Sequence, residues 1–260
     1  MARPNYQYII LLQYLGFRYH GWQWQKDVKT IQQMIERTLH YVLPEVSYKV
    51  LSASRTDAMV SANGAAMALM TSTPLPDHFL ADFNQNLPQD IRALSIYPTD
   101  PNTFNIIQAP KEKEYFYLFS QGEKAHPFAA PLLTSFAEEL NIPLMQKGAK
   151  LFEGTHSFHN FCYKPSENTQ FTRTITCSQI EVNDSYTASF FPETTYLYRI
   201  KGKGFLRHQV RIMMGVLYKL GKGDYTLPEM TSLLHDEQKP FWQLPLAPAS
   251  GLILESTSFE

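Results

Sequence analysis

Arg55, Thr56 and Asp57 put a cation, a hydroxyl and a carboxylate into three consecutive residues, followed by the small Ala58. The apolar run 48–53 precedes them and a second strand pattern, 64–71, follows, so they fall at the tip of a predicted hairpin. A strand-end loop of this kind can hold one ionised carboxylate in a fixed pose. Arg55 favours the charged form of Asp57, and the Thr56 hydroxyl can bond nearby backbone and shape the turn. Taken alone, the same residues also suit an ordinary polar turn.

Three further stretches carry chemistry. Residues 14–25 are dense in aromatics, amides and glycine, with Tyr19, Gly21, Trp22, Gln23 and Gln25 offering ring faces and amide edges that suit RNA. The alternative is that the rings pack beneath the following helix. Tyr115 and Tyr117 alternate on a strand, so both face one side, where a tyrosine can stack on a base or exchange a proton, or simply fill a core. Arg207, His208 and Arg211 fall on a helix predicted over 205–220; Arg207 and Arg211, four apart, share a face that can grip phosphate or anchor a carboxylate. Lys201, Lys203 and Lys222 add to a local basic patch, against the plainer reading of a solvated helix face. His156, His159 and Cys162 lack a second ligand pair, so no metal is expected. No glycine-rich phosphate loop and no nucleophilic Ser or Cys signature is present.

These residues must be positioned by a repeated order of elements. Strands are expected at 6–15, 48–53, 64–71 and 91–97. A helix opens at Thr30 with Gln33 as its capping partner, and a shorter one is capped by Asp77 and ended by Leu87-Pro88. The second part repeats the pattern. It has strands at 115–119, 174–182, 195–201 and 252–256 and helices at 143–152 and 205–220, the latter stopped by Gly221. A Thr226/Glu229 capping box then opens a further helix, with Pro228 in its first turn. The expected fold class is α+β: two tandem ferredoxin-like (βαββαβ) halves, 1–100 and 101–260, joined edge to edge with an active-site cleft between them. The catalytic Asp loop falls in the first half, and the stacking-Tyr strand and Arg helix in the second. The Pro- and Asn-containing stretch 98–113 is the expected linker.

Composition sets bounds. The chain has 260 residues, 44% hydrophobic and 18% charged, which is globular composition. No apolar run approaches the roughly 20 residues of a bilayer span, and no signal peptide is expected at MARPNYQYII. Two cysteines suggest no disulfide framework, and a reducing cytoplasm fits best. A net charge of −1 argues against tail-driven nucleic-acid binding but leaves room for a basic cleft.

In chain order these residues resemble the TruA-type tRNA pseudouridine synthases. Residues 14–25 are similar to the family's Tyr-x-Gly-Trp-Gln-x-Gln opening, and Arg55-Thr56-Asp57-Ala58 to its Arg-Thr-Asp-Ala motif. Asn84-Gln85-Asn86-Leu87-Pro88-Gln89-Asp90-Ile91 resembles its Asn-x-Asn-Leu-Pro-x-Asp-Ile. Glu114-Tyr115-Phe116-Tyr117 resembles its paired-tyrosine strand, and Gly154-Thr155-His156-Ser157-Phe158 its Gly-x-His-x-Phe. Phe205-Leu206-Arg207-His208-Gln209-Val210-Arg211 is similar to its Phe-x-x-His-x-Val-Arg helix, and Ala247-Pro248-Ala249-Ser250-Gly251-Leu252 to its closing Ala-Pro-Ala-x-Gly-Leu.

The resemblance implies isomerisation of uridine to pseudouridine in the anticodon arm of tRNA, at positions 38–40, by a homodimer that needs no cofactor. Asp57 aligns with the catalytic aspartate, acting either by attack at C1′ or by taking a ribose proton. Arg55 and Arg211 hold it ionised, and Tyr115 stacks on the flipped uracil. Tyr19, Gly21, Trp22, Gln23, Gln25, Arg207, His208 and Lys222 are the expected RNA contacts. The sequence also departs from the family. Met59-Val60-Ser61-Ala62 stands where the family has Gly-Val-His-Ala, and Phe104-Asn105-Ile106-Ile107 lacks the family's arginine. These departures point to a divergent paralogue with altered RNA choice. The alternatives are a synthase for another RNA position, or a catalytically weak relative acting as an RNA chaperone.

Overall fold

The computed structural model describes residues 5–235 and 244–259. It divides into two compact units: Met1–Lys111 with Leu254–Glu260, and Glu112–Ile253. Both combine antiparallel strands with helices, a mixed α and β architecture.

In the first unit the order is β1 (Tyr6–Tyr14), α1 (Ile31–Val42), β2 (Tyr48–Ser52), β3 (Ser61–Thr71), α2 (Phe79–Asn86) and β4 (Ile91–Thr99). β1 lies between β3 and β4, antiparallel to both, and β2 pairs with the Met67-to-Thr71 end of β3. The last strand of the chain, β10 (Leu252–Ser258), ends in this unit, where Asn63 Nδ2 of β3 donates to Glu255 Oε1 at 3.0 Å. Thr30 caps α1 as expected, its hydroxyl accepting from the Gln33 N–H at 3.3 Å, and Ile31, Ile35 and Leu39 are buried. Asp77 does not cap α2. His78 occupies that position without a side-chain cap, because the chain turns one residue later than the pattern implied. Pro88 ends α2 by forcing Leu87 into an extended conformation, φ −67° and ψ 149°.

The Asn84 side chain explains part of its motif. It closes a two-way clamp on β4: Nδ2 donates to the Ala93 carbonyl and Oδ1 accepts from the Ala93 N–H, both at 2.8 Å. The stretch expected as the linker contains the boundary between the two units at Lys111/Glu112, and its earlier part is packed. Ile106 is buried against Ile9, Ala53, Ala66 and Ala68, and Phe104 packs on Phe259 with ring centroids 5.8 Å apart.

The second unit contains β5 (Glu112–Ser120), β6 (Thr134–Ser135), α3 (Ile142–Lys150), β7 (Gly154–Ser157), β8 (Thr172–Val182), β9 (Tyr196–Gly202), α4 (Gln209–Lys222) and α5 (Leu227–His235). β9 pairs antiparallel with β5 and β8, β8 with β7, and the short β6 runs parallel to the end of β5. The Thr226/Glu229 capping box forms reciprocally, with Glu229 Oε2 2.8 Å from the Thr226 N–H and Thr226 Oγ1 3.4 Å from the Glu229 N–H.

Two helix expectations in this unit are corrected. α4 begins at Gln209, not at 205, because His208 has φ 61°, a left-handed conformation that an α-helix cannot propagate. The buried Gln209 side chain instead accepts from the Leu206 N–H at 2.8 Å. Its stop is Gly223, at φ 87°, while Gly221 is a buried helical residue. His156 lies on β7, and its Nε2 meets the Glu153 carbonyl at 2.7 Å. His159 packs on Phe171, and no cluster of three metal-capable side chains occurs among the described residues. Nor is any described helix long and apolar enough to cross a membrane. Both cysteines are free, and burial pushes both thiols up.

Replacing Asn84 by Asp keeps the acceptor for the Ala93 N–H but sets a carboxylate against the Ala93 carbonyl. We expect this change to cost about 2 kcal/mol, the scale of a buried acceptor left unsatisfied, read as a lower urea midpoint with an unchanged m-value.

Candidate active site

The Asp57 loop spans residues 53–60 between β2 and β3 and is held from one side by the chain that follows β1. Thr56 is its anchor. The Thr56 side chain is buried with its Oγ1 2.9 Å from the Tyr14 hydroxyl, and its carbonyl accepts from the Trp22 N–H at 3.0 Å. The Met59 N–H donates to the Tyr19 carbonyl at 3.0 Å, and the Gly16 N–H donates to Ser61 Oγ at 2.9 Å. Gly21, at φ 83°, lies so close that a Cβ there would sit 2.6 Å from the Thr56 carbonyl oxygen and 3.0 Å from the Asp57 carbonyl carbon. Glycine is therefore required for both conformation and clearance. The clamp leaves Arg55 exposed and Asp57 partly buried.

Arg55 makes no ion pair among the described residues, with Asp57 or any other carboxylate. The local support expected from Arg55 is therefore absent as an ion pair.

Tyr19 and Trp22, expected at RNA, are 1% and 2% exposed. Their rings support the loop and offer no face to a base, as the packing alternative required. Tyr19 is also tied to a residue that functional reasoning on the sequence passed over. Its hydroxyl donates to Asp90 Oδ1 at 2.7 Å, and Arg18 grips the same carboxylate through Nε and through Nη2, the latter at 2.9 Å from Oδ1. The Asp90 carbonyl accepts from the Leu15 N–H at 2.9 Å. Burial raises the Tyr19 hydroxyl, the Asp90 hydrogen bond adds to it, and the group is pushed up to about 12. Burial also acts to raise Asp90, but the hydrogen bonds from Arg18 and Tyr19 outweigh it and leave the carboxyl below its ordinary value. The spacing of Arg18-Tyr19 from Asp90 carried no signal; only the pairing of β1 with β4 brings them together.

Gln23 and Gln25 are exposed, as RNA contacts must be, with Nε2 of Gln23 on Gln32 Oε1 at 2.9 Å and Nε2 of Gln25 on the His20 carbonyl at 2.8 Å. Trp24 between them is 50% exposed and its backbone N–H is fixed by Gln32 Oε1 at 3.1 Å. Met59 occupies φ 66° and is 37% exposed. That is the left-handed region in which a glycine has no Cβ penalty.

In the second unit Tyr115 lies on β5 opposite Ile200, partly buried, with Phe205 edge-on to its ring at 5.1 Å between centroids. Tyr117, on the same face, is fully buried. Its hydroxyl sits 2.9 Å from both the Pro248 carbonyl, to which it donates, and Thr134 Oγ1, and burial pushes it up. Tyr117 is therefore a core residue and Tyr115 the accessible one. Arg211 lies in the first turn of α4 and is locked to Ala247: its Nε donates to the Ala247 carbonyl at 2.9 Å, and its carbonyl accepts from the Ala247 N–H at 3.1 Å.

Arg207 and His208 precede the helix and gather on Tyr163, so the shared helical face expected for Arg207 and Arg211 does not exist. Lys222 lies at the other end of α4, about 20 Å away by helical rise, and pairs with Glu138 at 3.1 Å. Lys201 lies on β9 and pairs with Glu114 at 3.4 Å. The expected single patch is thus divided.

The tRNA pseudouridine synthase family model matches residues 149–260. Along nearly the whole chain, the sequence is 31% identical over 249 residues to tRNA pseudouridine synthase A of Shouchella clausii, covering 95% of this chain and 91% of that protein. The chain belongs to the tRNA pseudouridine synthase A family. It is also 31% identical over 246 residues to the family member of Acetivibrio thermocellus (94% of this chain, 96% of that one) and 29% identical over 254 residues to that of Pseudothermotoga lettingae (97% and 99%). Arg207, His208 and Arg211 fall inside the segment that the family model matches; Asp57 and Tyr115 fall before it.

Met59→Gly removes the left-handed strain and is expected to stabilise the fold by up to about 1 kcal/mol, read as a rise in Tm of a few degrees. Asp90→Asn is expected to lower Tm at neutral pH. A carboxyl whose folded value is depressed stabilises the fold above its unfolded value of about 3.9 and loses that contribution as pH falls through the folded value. The Tm gap between wild type and Asp90→Asn should therefore be widest near neutrality and close below about pH 4; a gap independent of pH would remove the charge from the account.

Proposed function

We propose that this chain isomerises uridine to pseudouridine in tRNA. The observation that carries the reading is the identity of 31% over 249 residues, 95% of the chain, to a tRNA pseudouridine synthase A. The held Asp57 loop agrees with it, because the reaction needs one carboxylate kept in a fixed pose. The reaction breaks the C1′–N1 bond, turns the released uracil, and joins C1′ to C5; the C5 proton leaves and N1 regains one, so no net oxidation occurs.

In this reading Asp57 is the catalytic carboxylate, by attack at C1′ or by taking a ribose proton, and both routes need it ionised. Arg211 stabilises that charge, and its double tie to Ala247 fixes where its guanidinium can reach. Tyr115 stacks on the target uracil and is the candidate acceptor of the C5 proton. Arg55, exposed and without an ion pair among the described residues, can enter the space that a flipped base leaves. Gln23, Gln25, Arg207 and His208 contact the RNA. Each unit is a ferredoxin-like half, the substrate region is the anticodon arm at positions 38–40, and the working form is a cytoplasmic homodimer without a cofactor. The left-handed Met59, two residues from Asp57, is the residue that narrows RNA choice relative to family members with glycine there.

Pseudouridine mapping of total RNA from cells with and without the gene tests this reading. Anticodon-arm sites should revert to uridine on deletion and return with the wild-type gene. Asp57→Ala should fail to restore them, with a rate loss of at least about 10³-fold, within the range for a positioned acid–base group. An unchanged map together with retained tRNA binding would replace the enzyme by an RNA chaperone.

A further inference from the structure

Tyr163 follows the single turn at His159–Phe161, and its N–H donates to the Arg207 carbonyl at 2.9 Å, which fixes this loop against the start of α4. Its ring collects cations. The Arg207 guanidinium carbon lies 5.2 Å from the ring centroid and Lys164 Nζ 5.4 Å, while the His208 ring stacks on it at 4.6 Å and 16°. Arg173 belongs to the same neighbourhood. Burial raises the adjacent Cys162 thiol, and the Arg173 and Arg207 charges both pull against it. Arg173 spends one nitrogen, Nη1, on the carbonyls of Gln170 and Thr172, both at 2.7 Å, which orients its fork.

Among the described residues none of Lys164, Arg173 and Arg207 has a carboxylate within ion-pair distance. The contrast lies within the same unit. Lys150 pairs with Glu153, Arg199 with Glu114 and Glu181, Lys219 with Asp224 and Lys222 with Glu138. A chain of net charge −1 has carboxylates to spare, yet among the described residues none is spent on Lys164, Arg173 or Arg207. Lys164 and Arg207 beside one ring repel one another, Arg173 near Cys162 adds a third like charge, and the positive end of the α4 dipole adds to them. Lys164 is also held at φ 45°, a strained conformation for a lysine. An arrangement that costs stability in the free protein suits an anion supplied from outside.

We infer that Tyr163, Lys164, Arg173, Arg207 and His208 form a binding surface for the phosphodiester backbone of folded RNA. The inference rests on the tRNA reading above and adds Tyr163, Lys164 and Arg173 to it. The chemistry favours phosphate over nucleobase. The His208 ring stacks on Tyr163 and two long cations lie over the same ring, so the tyrosine is engaged in holding cations in place rather than offered as a platform for a base. Arg207 and Lys164 are exposed and can reach outward. This surface contributes affinity and orientation but no base readout.

The test is the salt dependence of tRNA binding, measured by fluorescence anisotropy with an unmodified tRNA transcript, on wild type, Lys164→Gln/Arg207→Gln and Lys219→Gln. Each phosphate contact contributes about 0.9 to the slope of log K against log salt. The double variant should bind more weakly at low salt, with a slope shallower by about two. Lys219→Gln, which removes only a lysine paired with Asp224, should match wild type. Both altered side chains are exposed, and an unchanged Tm certifies the fold. A double variant with the wild-type slope would overturn this surface even if pseudouridine still forms. A wild-type chain that binds tRNA with the expected slopes but forms no pseudouridine would overturn the isomerase reading and leave the surface standing.

Discussion

The backbone of Thr56 and its hydroxyl are the fixed point from which the candidate catalytic carboxylate is aimed. A carboxylate in a surface turn explores many poses, and each pose away from the reacting one lowers the chance of reaction. Here the residue before Asp57 is bonded through its side chain to Tyr14 and through its carbonyl to Trp22. The residue two beyond it is bonded to Tyr19. The clamp works only because Gly21 has no side chain to hold the two backbones apart. Behind it, Tyr19 is fixed by Asp90 and Arg18. Tyr14, Tyr19 and Trp22, which look in sequence like a recognition loop, are therefore a rigid support, while Gln23, Trp24 and Gln25 are the exposed residues of this stretch.

The second unit uses a comparable device with different groups. Arg211 is not left on a free helix face; the strand-like segment at Ala247 holds it by a bond in each direction. Tyr117 is anchored at the same segment through the Pro248 carbonyl, which sets the register of β5 and with it the position of Tyr115. On the other face of β5, Glu114 pairs with Arg199, which also bonds Glu181 and lies over Phe116 at 4.4 Å. Arg199 and Lys201 are spent on holding strands together, whereas Lys164, Arg173 and Arg207 make no ion pair among the described residues.

Much of the fold was legible because periodicity and capping act locally. Thr30, the Thr226/Glu229 pair and Pro88 act as the sequence pattern predicts. Both misplaced boundaries of α4 trace to features that residue type does not announce. His208 is a residue with ordinary helix propensity, and nothing in its type announces φ 61°. That conformation moves the start of α4 by four residues and takes Arg207 off the helix. Gly221 looks like a stop by composition, but it is buried beside Met145, where only a glycine leaves room for the sulfur, and the stop passes to Gly223.

The sequence by itself determined which groups are available: an Arg-Thr-Asp-Ala loop, a tyrosine strand and an arginine-bearing helix, in a chain that belongs to the tRNA pseudouridine synthase A family. Residue type and spacing carry that information because they specify which groups are available. Tertiary structure alone decided which of those groups face outward. Tyr19 and Trp22 went to the interior, Lys222 to an ion pair with Glu138, and Arg207 with His208 to Tyr163. The physical reason is that burial and charge pairing depend on contacts between residues far apart in the chain, such as Asp90 with Tyr19 across β1 and β4, and no local pattern encodes them.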